Sequence, residues 1–297
     1  MRRTISRRTA LGALSAGITL APLALRADER SRGPLSFLVV SDTHLGYQRQ
    51  ESAAHQWKKT AAELAKASGD LILHLGDVVD GGQEPQYAVY KAIRDTIGKP
   101  VHEIPGNHDP HELFEKHIRN PVDAVVDHHW LRFLLLNNAR FGDHDGYLSD
   151  DQVAWIDRHC TEAGKQDRFV ILCMHVPAHD NKHPDRGWFI HPRNGQKPLY
   201  EVVSRHANRI LALFHGHFHN GIRGWSDHAP VQEILFPSAL YNQDRRLEEQ
   251  KAPGYNLTEF RPGFTKVTIA DGRLKLKFHV VAVGETVGKE WKLPQLG

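Results

Sequence analysis

The sequence predicts an α/β fold that goes on to close a second sheet, and three observations carry that reading. Apolar runs of strand length alternate with segments of helical apolar spacing through the first two thirds of the chain, the order expected of βαβ units. Several of those runs stop abruptly at Asp, Asn or His, which places metal-ligating side chains where the strands of an open α/β sheet present ligands. After Ala229 the helical spacing disappears and strands alternate with turns, at 231–236, 264–270 and 274–281.

In chain order, residues 35–40 form a first apolar strand. A helix is predicted over 52–68, where Ala53, Trp57, Ala61, Leu64 and Ala65 recur on one face and Ser68-Gly69 ends it. The run 71–73 is a buried strand turning at Gly76, whose missing Cβ lets the backbone bend sharply into Asp77. A second helix spans 84–98 and a strand 101–104. Ser149 and Gln152 form a Ser-x-x-Gln capping box ahead of Val153, Trp155 and Ile156, so a helix starts there. Strands at 169–174 and 210–214 enclose a helix at 199–207. No repeat or low-complexity linker interrupts the chain, which reads as one domain over 34–297. The stretch 177–198 lacks apolar periodicity and carries His179, His183, Arg186, Trp188, His191 and Arg193. It is a substrate loop or a solvated surface loop, and 241–255 is a second polar stretch of the same kind.

With 297 residues the chain can bury a large core. Its formal charge is only +3, from 38 basic and 35 acidic residues, so nothing in the balance points to nucleic acid. Arg2, Arg3, Arg7 and Arg8 cluster ahead of an apolar stretch at 9–25 that is short for a bilayer span, the layout of an export signal over residues 1–27. Ser6-Arg7-Arg8 is similar to a twin-arginine signal, although Ala10 stands where that motif often carries Phe. The expected location is periplasmic or secreted, with no stable membrane span once the signal is removed. Cys160 and Cys173 are too few for a disulfide framework, and Cys173 reads as a small buried hydrophobe within a strand.

The chemistry gathers at five strand ends: Ser41-Asp42-Thr43-His44, Gly76-Asp77-Val78-Val79-Asp80, Gly106-Asn107-His108-Asp109, His175-Val176-Pro177 and His215-Gly216-His217-Phe218-His219. Each alone is weak. A strand-end His in a chain with 21 His is more often an ordinary polar residue, and Gly-Asp is favoured in any turn. The ordered set, each member after an apolar strand, is a different matter. Asp77 has two carboxylate oxygens at a strand mouth and can bridge two cations. The carboxylate, imidazole and amide donors, with no thiolate, suit Mn, Fe or Zn, or Mg where oxygens dominate. Two divalent or trivalent ions side by side clamp the attacking and leaving oxygens of an in-line displacement and activate water, which implies hydrolysis of a small-molecule phosphoester.

The five motifs, over 35–238, resemble the calcineurin-like metallophosphoesterase superfamily, and within it the class III cyclic-nucleotide phosphodiesterase-like branch. Purple acid phosphatases carry Tyr where Asp80 stands here. The resemblance implies a two-sheet sandwich flanked by helices in four α/β/β/α layers. It implies one metal held by Asp42, His44, Asp77 and His219, and a second held by Asp77, Asn107, His175 and His217. It also implies a phosphate-facing His108 oriented by Asp80, acting on the transition state or on the leaving oxygen, with water rather than a side chain as nucleophile. The alternative is a non-catalytic member that uses the metal cleft for binding. Loss of His108 or of several ligands would mark that case, and all are present.

Overall fold

The computed structural model describes residues 32–181, 187–243 and 256–296. The expected export signal lies outside the described residues. Among them, no helix is long and apolar enough to cross a membrane.

Two six-stranded sheets stack face to face. The first is built from β1 (Leu35–Val40), β2 (Ile72–His74), β3 (Val101–Glu103), β10 (Gly263–Ala270), β11 (Arg273–Val280) and β12 (Thr286–Lys292), in the order β12-β11-β10-β1-β2-β3. The second contains β4 (Ala124–His128), β5 (Leu131–Leu135), β6 (Phe169–Cys173), β7 (Ile210–His215), β8 (Arg223–Trp225) and β9 (Gln232–Leu235), in the order β4-β5-β6-β7-β9-β8. β1, β2 and β3 run parallel, as do β5, β6, β7 and β9, so their carboxyl ends lie along common edges.

Residues on alternate faces of each strand explain the layering. Leu35, Phe37 and Val39 point inward and share one core with Phe133, Ile171, Cys173 and Phe214 of the facing sheet. Phe37 meets Phe133 edge-on at 5.0 Å between ring centroids, a favourable aromatic geometry. Their neighbours Leu38, Val40 and Ile72 face outward against Trp57 of helix α1 (Gln50–Lys66) and Tyr87 and Tyr90 of α2 (Glu84–Arg94). On the other side Leu134, Val170 and Leu172 pack on Ile156 of α4 (Asp150–Lys165) and Val203 of α5 (Gln196–Arg205). The result is the expected α/β/β/α stack. Helix α4 starts at the predicted capping box, with Ser149 accepting from the Gln152 amide and Gln152 Oε1 accepting from the Ser149 amide.

One expectation needs correction. The C-terminal strands β10, β11 and β12 do not close a separate sheet. β10 pairs antiparallel with β1, setting Leu35 opposite Ile269 and Phe37 opposite Val267, so the chain returns to extend the first sheet. The short helix α3 (His111–His117) and the strands β4, β5, β8 and β12 carry no expectation from the sequence; α3 buries only Phe114 and β12 only Val287.

Candidate metal centre

Each strand mouth now delivers its side chains to one crevice. β1 ends in Asp42 and His44, β2 in Asp77 and Asp80, β3 in Asn107 and His108, β6 in His175, and β7 in His217 and His219. The turns that do this are tight. Asp42, His44, Asp77, His217 and His219 all take positive φ, between 40° and 77°, a left-handed conformation that costs a non-glycine residue roughly 1–3 kcal/mol and that clusters at functional sites. Gly76 has φ 93°, and a Cβ there would run into the His175 ring. A Cβ on Gly106 would collide with Asp77. The glycines of both motifs are therefore required by close approach.

Asp77 Oδ2 is the pivot. It lies 3.3 Å from His44 Nε2 and 3.2 Å from His175 Nε2, while Oδ1 accepts the His108 backbone N–H at 2.9 Å. On the His44 side, His44 Nε2 lies 3.0 Å from His219 Nε2, which is 3.0 Å from Asp42 Oδ1. On the His175 side, His175 Nε2 lies 3.2 Å from His217 Nδ1. A cation bound at about 2.1 Å to octahedrally arranged donors sets neighbouring donors about 3 Å apart, so both spacings fit.

The outer nitrogens decide which ring atoms face inward. His44 Nδ1 meets Asp80 Oδ1 at 3.1 Å, His175 Nδ1 meets the Leu75 carbonyl at 2.7 Å, His217 Nε2 meets the His144 carbonyl at 3.1 Å and His219 Nδ1 meets the Tyr241 carbonyl at 2.9 Å. Each outer nitrogen donates to oxygen, so each ring, once its inner nitrogen is deprotonated, turns a lone pair inward, the arrangement found in metal-ligating histidines. Two such pairs of nitrogens at 3.0 and 3.2 Å repel unless a proton or a cation lies between them. Asn107 Oδ1 is buried with no hydrogen-bond partner, as an oxygen reserved for such a cation would be. The residues present therefore fit two ions.

Without ions, the buried carboxylates and imidazoles balance one another. Burial works against ionisation of Asp42, but attraction to His219 and His175 holds its carboxyl at about 2. Burial likewise opposes the Asp77 charge, yet His175 and His44 hold that carboxyl well below its usual range. Burial lowers the His175 ring, but Asp77 and Asp42 outweigh it and raise it to about 9. The His217 ring is pushed well down by burial and by His175, and His219 is lowered chiefly by burial.

Asp80 Oδ1 serves two rings, lying 3.1 Å from His44 Nδ1 and 3.1 Å from His108 Nδ1. His108 is about one-third exposed and stands edge-on to His44 at 4.6 Å, outside the ligand clusters. Burial lowers it, but the Asp80 bond and the Asp77 charge raise it on balance.

Several neighbours stand outside the expected set of ligands and catalytic residues. Asp109 is buried and accepts from Val78 N, Val79 N, Gly106 N and the Tyr87 hydroxyl, so it ties the Asp77 turn to the Asn107 turn. Burial and the Asp77 charge raise its carboxyl to about 6. His144 and Trp188 stack at 4.1 Å beside His217, and Tyr47 stacks on Tyr241 at 4.6 Å beside His44. His215 turns away from the cluster towards Glu233. In the 177–198 stretch, His179 pairs with Asp227 and stacks on Trp225, and His191 pairs with Asp145. His183 and Arg186 lie outside the described residues, as does the 244–255 part of the second polar stretch.

Fold and site define a metal-dependent phosphoric ester hydrolase. Residues 35–221 match the family model for calcineurin-like phosphoesterases, and the chain belongs to that family. It is 27% identical over 235 residues to the 3′,5′-cyclic adenosine monophosphate phosphodiesterase CpdA of Pseudomonas aeruginosa, covering 75% of this chain and 79% of that one. It is 28% identical over 163 residues to the glycerophosphodiester phosphodiesterase GpdQ of Enterobacter lignolyticus, spanning 51% of this chain and only 56% of that relative. A dimetal phosphatase from Danio rerio shares the fold, with a TM-score of 0.64 at 15% identity over 86% of this chain and 98% of that one.

Proposed function

We propose that the chain is an exported dinuclear-metal phosphodiesterase. The observation that carries this reading is Asp77 Oδ2 lying between two imidazole pairs whose inner nitrogens are aimed at common points. When bound, two such cations supply Lewis-acid polarisation of phosphoryl oxygens and a water made acidic enough to attack near neutral pH. Asp42, His44, Asp77 and His219 would hold one; Asp77, Asn107, His175 and His217 would hold the other.

Water as the nucleophile is supported by the hydroxyl groups nearby. Ser41 Oγ donates to the Leu75 carbonyl, Thr43 Oγ1 to the Val78 carbonyl and Ser238 Oγ to the Asp42 carbonyl, so these hydroxyls serve the backbone. In the proposed step the water oxygen gives up a proton to solvent and forms the new bond to phosphorus, the ester P–O bond breaks, and the leaving oxygen takes a proton from His108, which regains one from solvent. Asp80 holds His108 Nδ1 and leaves Nε2 for the substrate. The Asp80 carboxylate at 3.1 Å favours the protonated ring that a donor needs. A diester rather than a monoester is favoured because both curated relatives are named for diester substrates. Export rests on Ser6-Arg7-Arg8 and the apolar stretch that follows it.

The deciding experiment reconstitutes the mature protein with Mn, Fe or Zn and offers aryl phosphodiesters, aryl phosphomonoesters and 2′,3′- and 3′,5′-cyclic nucleotides. Turnover of diesters that chelation abolishes is expected. Metal-loaded protein that turns over none of them would favour a binding role for the cleft.

A further inference from the structure

His144 lies in the turn Gly142-Asp143-His144-Asp145-Gly146, far in sequence from every strand mouth, yet it meets two residues of the second cation position. Its carbonyl takes the His217 Nε2 proton at 3.1 Å, and its Nδ1 lies 3.5 Å from Asn107 Nδ2, at the long limit of a hydrogen bond. The second contact decides which way the Asn107 amide faces. An amide presents either oxygen or NH₂ to the cation, and only oxygen can ligate it. With Nδ2 turned to His144, Oδ1 is left buried and without a hydrogen-bond partner.

The turn is built to hold this position. Gly142 N donates to the Asn107 carbonyl, and Gly146 N donates to the Phe189 carbonyl, next to Trp188. Asp143 accepts from the Tyr147 hydroxyl at 2.7 Å, and Asp145 pairs with His191 at 3.1 Å. The Trp188 ring then lies on the imidazole of His144 at 4.1 Å and 12° between planes, and 5.2 Å from the His217 ring. One end of the turn is tied to the ligand Asn107 and the other to the loop that delivers the stacking tryptophan.

We propose that His144, braced by Trp188, is a positioning residue for the second cation, setting the Asn107 amide and the His217 ring as ligands. This assignment rests on the dinuclear reading above. It gives the 177–198 stretch a role through Trp188, and it places the effect at the second cation, because the two ligands that His144 meets, Asn107 and His217, both belong to it.

The test is calorimetric titration of metal-free protein with Mn²⁺, with bound ions counted after dialysis, for the parent, His144→Ala, His144→Gln and Trp188→Leu. Removing an outer partner of a metal ligand typically costs 10–100-fold in affinity, so His144→Ala should weaken one of the two binding events by about that factor and leave the other unchanged. Gln carries a side-chain oxygen that accepts the same Asn107 bond and should recover most of the loss; Trp188→Leu should produce a smaller loss at the same event. Thermal unfolding of metal-free His144→Ala and His144→Gln should match the parent, since His144 is exposed. Equal titrations for the parent and His144→Ala overturn the assignment, as does equal weakening of both events or a Gln variant no better than Ala. A parent that itself holds fewer than two ions overturns the dinuclear reading and this assignment with it.

Discussion

Asp77→Asn is nearly isosteric, and Asn tolerates the left-handed backbone that Asp77 adopts at φ 52°, so the turn itself should survive. What fails is the division of labour between the two oxygens. Oδ1 must accept the His108 N–H, while Oδ2 sits between His44 and His175. An amide has one oxygen. If it accepts from His108, an NH₂ group faces both cations; if it faces the cations, NH₂ opposes the His108 N–H in a site where Asp77 is only 2% exposed. An unmet buried donor alone costs about 1–3 kcal/mol. At about 1.4 kcal/mol per tenfold, that is about 5–150-fold in affinity before the lost negative charge is counted. The charge is shared, so both ions should weaken together, by at least about tenfold each. Metal content after dialysis against a graded chelator measures this, with circular dichroism to follow the fold. Asp77→Asn protein that keeps two ions, or loses only one, would refute the bridging role.

His108→Ala should keep the metal content of the parent and lower kcat about 10²–10⁴-fold, with a smaller loss for aryl esters whose leaving group needs no proton; near-parental kcat on every substrate would remove His108 from the chemistry. Replacing Arg7 and Arg8 by Lys should hold active protein in the cytosol, and a fractionation in which the variant reaches the periplasm as the parent does would reject the twin-arginine reading. Glu233→Gln should destabilise the metal-free protein by about 1–3 kcal/mol at pH 7, because Glu233 accepts from Ala178 N, His179 N and the Tyr200 hydroxyl. Burial opposes its charge, but His215 and these donors hold the carboxyl below its ordinary 4.5 in the folded state. Its contribution is therefore whole above pH 4.5 and is lost as pH falls through the folded value, so urea unfolding should show the parent and variant converging in acid and not in base.

The strand mouths were legible because two signals coincide there. An apolar run such as Phe169-Val170-Ile171-Leu172-Cys173-Met174 reads as a buried strand, and a His directly after it emerges at the sheet edge. Repeated across both sheets, this brings Asp42, His44, Asp77, Asn107, His175, His217 and His219 to neighbouring strand ends, and the structure gathers the Asp and His members in two adjoining clusters that share Asp77. The parts that left no trace depend on backbone atoms or on pairing between distant segments. The Tyr241 carbonyl that holds His219 could be offered by any residue type, and the partner of β1 was hidden because β10 alternates as well as a strand of a separate sheet would. His144 sits in a glycine-flanked acidic turn with no periodicity, so its role appears only once the turn is tied to Asn107.

Backbone strain and side-chain chemistry point to the same place for one reason. Parallel strands end abreast, and to bring ligands from several of them within about 3 Å of shared points the chain must turn back at once, which β-region backbone cannot do. Positive φ at Asp42, His44, Asp77, His217 and His219 is the cost of that geometry. The sheets above can bear it because they are anchored by three apolar clusters, and because Asp109 and the Leu75, His144 and Tyr241 carbonyls fix the turns from outside. Facing ring nitrogens that need a positive charge between them and a backbone held in its less favoured region leave the centre as a part of the fold whose local interactions do not satisfy themselves. Two cations would supply that charge without moving the donors, which is what a site preorganised for metal requires.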